Sequence, residues 1–406
     1  MSKKEKKKFD LTDEPVVLDI PDDEIWTYQI PGLAPPRINK TPKNYAIKKI
    51  LLAFVIIVAV SISAYFSIRT VQKETFEYTK NDDGTYELSS FSNTGFITEI
   101  DIDYFSTVVY DKGNPDPETN FTLKKDESKP ITTVREYAFN CDEKVKVINI
   151  GASVTSIDAK SFYSCWALQR IEVDENNPNY CDIDGVLYNK DKTEIICYPV
   201  DRDAYLCEKY GFKQYDDKGN WIELQPDQEG FEEYREKVLT YVLPSTVTKL
   251  GAFSMNYAYI ADLYMPEGIT IIETLALFKS TRLENIFSYK AEFAITETDY
   301  TAVATLGTIY KSLPEGLTYI GSDAFSYNQG LTYMYIPETV TYIGHHAFWD
   351  TVYKEDGNLK GVSKIEVGHA EADFENVETG DQWRPQYDYL LFKKSVDVVY
   401  NAERAE

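Results

Sequence analysis

Leu313-Pro-Glu-Gly-Leu-Thr-Tyr-Ile-Gly-Ser-Asp-Ala-Phe325 is followed, a few residues later, by a second version of itself, Pro337-Glu-Thr-Val-Thr-Tyr-Ile-Gly-His-His-Ala-Phe348. Equivalent residues of the two stretches, such as Ile320 and Ile343, are 23 positions apart. A fixed period of about 20 to 50 residues is the sequence sign of a solenoid. We therefore expect a stack of repeats rather than a globular domain.

The same pattern can be followed backwards to residue 134. Each unit has an apolar start, a small residue followed by an apolar ring, and a segment of the form L-x-x-I-x-I. The L-x-x-I-x-I segments are expected to form short strands that pair into a parallel sheet, with alternate side chains pointing inward. No unit covers its apolar face alone, so neighbours share stability. The rings expected to fill the space behind the sheet are Phe139, Phe162, Phe253, Phe278, Phe325 and Phe348.

The two quoted units resemble the BspA-type leucine-rich repeat (leucine-rich repeat type 5) of bacterial surface proteins. Residues 177–199 resemble the hairpin insert common in that family, and residues 83–88 resemble its N-terminal cap. The resemblance extends over residues 76–400. It implies surface exposure and the binding of a protein or glycan ligand, often in adhesion, and it carries no catalytic residues.

The predicted fold is an α/β-type solenoid, mostly β, with a period of about 23 residues. A disordered N-terminal tail and a single transmembrane helix precede it. Residues 288–312 and the charged stretch after the hairpin interrupt the rhythm. The predicted domains are a cytoplasmic tail (1–49), a transmembrane helix (50–68), an N-terminal β cap (72–130), repeats (131–372, with insertions at 174–238 and 288–312) and a C-terminal hairpin cap (373–406).

The membrane prediction rests on Ile50 to Ile68, nineteen residues without a charge. As a helix this stretch would be about 28 Å long, close to the thickness of the hydrocarbon layer. Lysines concentrate before it, which places the N-terminus in the cytoplasm. We expect an uncleaved signal-anchor in the cell membrane with an extracellular C-terminal region. A cleaved signal peptide is the alternative, but 49 residues precede the apolar stretch.

The net charge of the chain argues against nucleic acids as partners. The chain has a formal net charge of −24, and residues 1–49 contain ten Lys/Arg against eight Asp/Glu, so the excess of acid lies in the remainder. A surface this acidic repels phosphate, which argues against nucleic-acid binding. Solubility is the simplest explanation of the charge, and calcium capture is the alternative.

The sequence contains no pattern typical of an active site. Its three histidines form no metal-binding spacing, and it has no nucleophile elbow, zinc-protease or phosphate-loop motif. Five cysteines include no CxxC pair, which argues against zinc. Buried thiols are expected, with a Cys181–Cys197 bridge as an alternative in an oxidising compartment. We expect a non-enzymatic protein without cofactor or metal.

The predicted binding surface is the concave face formed by the outward side chains of successive strands. Aromatic residues concentrate on it, and exposed aromatic rings are typical anchors of binding. The alternative is purely structural, because strands favour tyrosine. The candidate ligand-binding residues are Asp262, Tyr264, Asn285, Phe287, Tyr333 and Tyr335.

Two functions fit these features. The first is a membrane-anchored cell-surface protein that binds a protein or glycan ligand in adhesion or in host or envelope contact. The second is a structural or regulatory membrane component, whose ectodomain pairs with another envelope protein and whose tail docks or signals. Deleting residues 1–40 distinguishes them, because it spares an adhesin and disables a relay. The ligand and the oligomeric state are not specified by the sequence.

Overall fold

The computed structural model describes residues 75–405, apart from 93–96, 112, 115, 117–120, 140–141, 213, 216–220, 292–305, 357 and 390–391. The predicted tail and the predicted membrane span, Ile50 to Ile68, lie outside the described residues. Within them, no helix has the length and apolar character needed to cross a membrane. The mostly-β repeat architecture predicted from the period is confirmed.

Short strands dominate the described region. In chain order the first are β1 (Thr75–Lys80), β2 (Tyr86–Ser92), β3 (Glu99–Ile102), β4 (Tyr104–Tyr110), β5 (Phe121–Val134), β6 (Val147–Ile150), β7 (Ser156–Ile157), β8 (Arg170–Val173), β9 (Tyr180–Ile183), β10 (Val186–Asn189), β11 (Glu194–Cys197), β12 (Gln214–Tyr215) and β13 (Trp221–Ile222). The later ones are β14 (Thr240–Val242), β15 (Lys249–Leu250), β16 (Asp262–Pro266), β17 (Ile271–Ile272), β18 (Asn285–Lys290), β19 (Thr308–Tyr310), β20 (Tyr319–Ile320), β21 (Tyr335–Ile336), β22 (Tyr342–Ile343), β23 (Val352–Glu355), β24 (Asn358–Gly361), β25 (Lys364–Val367), β26 (Glu378–Thr379), β27 (Gln386–Tyr389), β28 (Phe392–Ser395) and β29 (Asp397–Val399). The helical segments are α1 (Arg202–Tyr210), α2 (Phe231–Tyr234), a π-helix (Arg235–Leu239) and α3 (Glu371–Phe374).

Each repeat forms one coil, and three sets of backbone hydrogen bonds join it to the next. The first set joins two-residue strands into the short-strand ladder, in which β15, β17, β20, β22 and β26 pair in parallel. Gly321 follows β20, and a Cβ added there would lie 2.3 Å from the backbone nitrogen of Thr274 in the preceding coil. The glycine of the repeated Tyr-Ile-Gly motif is therefore required by the close approach of the coils.

The second set joins the L-x-x-I-x-I strands into the long-strand ladder, which has three sections. These are β3-β6-β8, β14-β16-β18 and β21-β25-β29, each parallel. β19 adds to the second section in antiparallel pairing with β18. The side of this ladder that points away from the core is called the strand face below.

The third set lies in the turns that follow the short strands and is called the turn ladder. The backbone nitrogen of Phe325 donates to the carbonyl oxygen of Ala347 (2.8 Å), and that of Tyr327 donates to Trp349 (2.7 Å). Tyr327 has a φ of 64°, in the left-handed region. The turn therefore sends Phe325 into the core and brings Tyr327 to the surface.

Rings fill the core as predicted in four coils, at Phe139, Phe162, Phe325 and Phe348. In two coils the prediction is wrong, because Met255 and Leu277 occupy the core position while Phe253 and Phe278 are half-buried at the surface. The core residue stands eight positions after the apolar residue that starts its unit, as Leu277 does after Ile269. Position in the coil, rather than ring chemistry, decides which side chain is buried.

The array begins one coil earlier than predicted. The hairpin around residues 81–84 and the strand near residue 100 are present as expected, as β1-β2 and β3. However, β2 pairs in parallel with β5, and β3 with β6. The backbone nitrogen of Phe91 donates to the carbonyl oxygen of Ala138 (2.7 Å). β2 and β3 therefore belong to a coil of the array, with β4 and most of β5 inserted after it.

The hairpin predicted at residues 177–199 is present as β9, β10 and β11. It continues the short-strand ladder, because β11 pairs in parallel with β15. On the N-terminal side of the hairpin, the side chains of Asn179 and Tyr180 form the hydrogen bonds that a neighbouring strand would otherwise make with the backbone around β7. The Asn179 amide donates to the carbonyl oxygen of Thr155 (2.7 Å), and the backbone nitrogen of Ile157 donates to the Tyr180 hydroxyl (2.9 Å).

The hairpin lies between two hydrophobic cores. The N-terminal core extends from Leu88 to Leu187, and the larger C-terminal core from Ile183 to Val396. β10 contributes to both, since Leu187 packs in the first while Val186 and Tyr188 pack in the second.

The considered Cys181–Cys197 bridge is not formed. Cys181 lies opposite Tyr188, and Cys197 lies opposite Leu187, so that β10 separates the two thiols. Adjacent strands are about 4.8 Å apart, and two such steps exceed the Cα separation of about 7 Å that a disulfide tolerates. Burial raises the pKa of the Cys197 thiol to about 12, which suppresses its reactive thiolate.

Truncation of a core ring in the middle of the array should be costly. Phe325 is fully buried and stacks on Phe348 with ring centroids 5.2 Å apart. We expect Phe325→Ala to lower the free energy of unfolding by about 3–5 kcal/mol, because a cavity forms between two coils. Urea unfolding followed by circular dichroism measures this loss. Glu338→Ala, at an exposed site in the next coil, is the control, and equal unfolding of the two variants would contradict the assignment.

Candidate functional site

The first section of the strand face is a fixed network of acids. The Asn149 amide donates to Glu99 (2.9 Å) and to Asp101 (2.7 Å), and the Lys125 ammonium lies 3.0 Å from both Asp101 and Asp103. Burial opposes ionisation of Asp101, but the bonds from Asn149 and Lys125 outweigh it and hold its pKa below the usual value. Asp101, Asp103, Lys125 and Asn149 line an open cleft of about 310 Å³.

The middle section brings together two of the predicted residues, Asp262 and Asn285. They lie in register on β16 and β18, and the Asn285 amide donates to Asp262 (2.7 Å). Arg235 of the π-helix donates two hydrogen bonds to Asp262 (2.7 and 2.9 Å) and one to Glu284 (2.8 Å). Those bonds raise the pKa of Arg235. Asp262 is only 8% exposed, and its carboxylate oxygens already accept hydrogen bonds from Arg235 and Asn285.

Tyr264 and Phe287 form the aromatic part of this section. They too are in register, and their rings stack with centroids 4.7 Å apart and planes inclined by 22°. Both remain half-buried, which leaves part of each ring open to solvent. Tyr264 also packs against the cluster formed by Val242 and Leu306.

The third section holds the other two predicted residues. The Tyr333 hydroxyl donates to Glu366 (2.7 Å), which Lys364 also contacts. Burial and this carboxylate raise the pKa of Tyr333. The expectation that Tyr335 is exposed is wrong: it lies on the outward side of β21, opposite Glu366, but is only 5% exposed.

The cover over this region comes from the C-terminal segment. The backbone nitrogen of Ala402 donates to the carbonyl oxygen of Val367, and Lys311 donates to that of Ala405 (both 3.0 Å). The Arg404 guanidinium contacts Glu267 and lies 3.9 Å from the centre of the Tyr310 ring. It also reaches three further side chains, Ser288, Ser312 and Glu315.

The six predicted residues therefore do not form one aromatic surface. Asp262 and Asn285 are neighbours in the middle section, as are Tyr264 and Phe287. Tyr333 and Tyr335 belong to the third section. The edge of β18 in the middle section is occupied by β19 and not by β21. The sequence analysis missed Arg235 and Arg404, both of which lie outside the repeat pattern, so that the period gave no signal for either. Among the residues with assigned positions, no group of three or more His, Cys, Asp or Glu side chains is arranged to hold a metal ion.

Comparison with known proteins identifies the repeats. Residues 119–190 and 228–355 match the model of the BspA type leucine-rich repeat region, in six copies. The repeats in these two regions are therefore BspA-type leucine-rich repeats. The two matched regions are separated by residues 191–227, and the match confirms the resemblance found in the sequence. No curated protein matches the chain.

Several solved structures are similar at low identity. A leucine-rich repeat protein from Eubacterium ventriosum is 17% identical, with 64% of this chain and 60% of that chain covered and a TM-score of 0.37. A leucine-rich cell surface protein from Faecalibacterium prausnitzii is 15% identical, with 76% and 98% covered and a TM-score of 0.33. A leucine-rich repeat protein from Bacteroides ovatus is 14% identical, with 81% and 75% covered and a TM-score of 0.33. The chain thus spans less than two thirds of the Eubacterium ventriosum protein.

The Arg235–Asp262 contact provides a direct test of the middle section. Arg235→Met leaves a buried carboxylate without its cation, and we expect the free energy of unfolding to fall by about 2–3 kcal/mol. Arg235→Met/Asp262→Asn removes the charge as well but keeps an oxygen that accepts from Asn285. Urea unfolding of both variants should show recovery of most of the loss in the double variant. An equally unstable double variant would show that the ion pair is not the reason.

Proposed function

We propose that this protein is a non-enzymatic binding protein of the cell surface, which recognises a protein or glycan ligand through its strand face. The observation that carries the proposal is the half-open Tyr264–Phe287 stack, set between fixed polar groups on a parallel ladder. The repeat family supports a role in protein interaction or adhesion.

The strand face has the properties of a preorganised surface. Asn149, Arg235 and Lys125 are already held by carboxylates at 2.7–3.0 Å. Side chains that are ordered before binding lose less entropy when a ligand arrives. A partly exposed aromatic pair surrounded by polar groups is the composition typical of an energetic centre of binding. The same groups offer no nucleophile beside a base, which favours recognition over chemistry.

We place the array outside the cell, anchored through Ile50 to Ile68 with the N-terminus in the cytoplasm. The apolar length and the lysines before it support this orientation. The acidic charge of the rest of the chain is compatible with an exposed and soluble ectodomain.

Ligand binding is tested with the purified full-length chain in mild detergent on arrays of immobilised matrix proteins and of mucin-type glycans. We expect at least one ligand to lose tenfold or more of its affinity for Tyr264→Ala/Phe287→Ala, which corresponds to about 1.4 kcal/mol. Tyr319→Ala/Tyr342→Ala is the matched control, because it removes an equally stacked pair (4.6 Å) from the short-strand ladder. A set of ligands that all bind the strand-face variant as well as the wild type would refute the proposed site.

Anchoring is tested by adding protease to intact cells that produce the full-length chain with an epitope at each end. We expect the C-terminal epitope to be lost and the N-terminal epitope to persist, because the membrane protects only the tail. Deletion of residues 50–68 is the control and should release the array from the membrane fraction. Protection of both epitopes in intact cells would overturn the orientation.

A further inference from the structure

The turn ladder carries a second row of aromatic side chains, on a different part of the coil from the strand face. Successive coils contribute rings that meet edge to face, with centroids 5.5–6.1 Å apart. Tyr137 is 42% exposed, and Trp166, which packs on one of the rings at 4.7 Å, is 38% exposed. The row, called the aromatic stripe, consists of Tyr137, Tyr163, Phe253, Tyr257, Phe278 and Tyr327.

The backbone under the aromatic stripe is unfavourable for such residues. Tyr137, Phe253, Tyr257 and Tyr327 all have φ between 58° and 64°. Glycine and asparagine adopt this left-handed region most readily, while bulky side chains are strained in it. A turn selected for folding alone would favour the smaller residues. The same left-handed turn occurs in other coils, so the turn itself does not require rings, and their presence at four such positions points to a role of their own. The other residues in this conformation include Ser164, Leu275, Lys279, Asp323, His346 and Asp350.

Cations accompany the stripe in an otherwise acidic chain. The Lys279 ammonium lies 5.2–5.6 Å from the ring centres of Tyr257, Phe278 and Tyr327. Within the part of the chain that the structure covers, no carboxylate lies within ion-pair distance of Lys279. Lys160 lies over Tyr137 and Phe253 at 5.5 and 5.8 Å, with Glu136 at 3.6 Å. At physiological ionic strength charges are screened beyond about 8 Å, so these lysines act locally despite the net charge.

We infer that the aromatic stripe is a second binding surface, for a linear polysaccharide that carries carboxylate groups. The faces of sugar rings pack on aromatic side chains, and ammonium groups placed among those rings attract the carboxylates of the polymer. The rings recur from coil to coil and lysines accompany them in two coils, which suits a ligand with repeating units. This inference goes beyond the proposed function, because it uses neither the residues nor the face assigned there.

The test uses three polymers with the full-length chain in detergent. Polygalacturonate offers sugar rings and carboxylates, its fully methyl-esterified form offers rings without charge, and poly-L-glutamate offers charge without sugar. Affinity electrophoresis through gels that contain each polymer measures binding. We expect polygalacturonate to retard the protein most, with at least tenfold weaker binding of the other two. Equal retardation by poly-L-glutamate would assign the stripe to acidic peptides, and no retardation by polygalacturonate would overturn the inference.

The variants separate binding from folding. Tyr137→Asn/Tyr257→Asn/Tyr327→Asn removes three rings but keeps residues that accept the left-handed backbone, and it should bind polygalacturonate at least tenfold more weakly. Lys160→Gln/Lys279→Asn keeps the rings and should lose most of the salt-sensitive part of binding. This second variant keeps the inference testable if the first is unstable. Unchanged binding by the lysine variant, or by a folded triple variant, would contradict the inference.

Tyr264→Ala/Phe287→Ala is the control for the strand face and should bind polygalacturonate normally. If this variant alone loses polygalacturonate, the polymer occupies the strand face, and the second surface is refuted while the proposed function stands. If the strand-face ligand is never found but the stripe variants lose polygalacturonate, the proposed function fails and the second surface stands. The two proposals are therefore decided by different variants.

Discussion

The close approach of neighbouring coils is the constraint on which the rest of the structure depends. Gly321 and Gly344 leave no space for a Cβ because backbone atoms of the preceding coil lie where it would be. This contact brings short strands, long strands and turns into hydrogen-bonding distance at the same time. Backbone groups of each coil bond to neighbouring coils, and the apolar side chains pack from coil to coil in two interiors that meet at the hairpin. The distance between side chains of successive coils, on both proposed surfaces, is set by this stacking.

The architecture could be predicted because the period of 23 residues holds within uninterrupted runs of repeats. Leu317, Ile320 and their equivalents recur at a fixed spacing and carry the short-strand ladder. The coil that contains β2 and β3 was not predicted, although Phe91, Ile97 and Ile100 have the same mutual spacing as Phe139, Val145 and Ile148. Because of the inserted β4-β5 hairpin, equivalent residues of these two coils are 48 positions apart. That spacing does not match the period of 23 residues found elsewhere in the array. The wrong assignment of Phe253 and Phe278 has a different cause. Both residues are aromatic, but neither stands eight residues after the start of its unit, and that count decides which side chain is buried.

The candidate site was only partly accessible to sequence reasoning. Pairs on adjacent strands, such as Tyr264 with Phe287, follow from register alone and were predictable. The burial of Tyr335 was not, because the C-terminal segment nearby is fastened by long-range contacts, such as that of Arg404 with Glu267 across 137 positions of chain. The hydrogen bonds that fix Asp262 likewise come from Arg235, which lies in a helical segment inserted between two coils. Single, non-repeating residues decide which part of a repeated surface stays open, and a periodic pattern contains no information about them.

β10 gives the hairpin a consequence for how the protein loses its structure. Its alternate side chains enter two different interiors, Leu187 on one side and Val186 and Tyr188 on the other. A repeat array usually unravels from its ends, since each coil depends only on its neighbours. Detachment of this strand would expose both interiors in one event. The hairpin therefore couples the N-terminal and C-terminal coils, so that they unfold as one cooperative unit. Separation of the N-terminal coils from the C-terminal coils would therefore require this strand to break first.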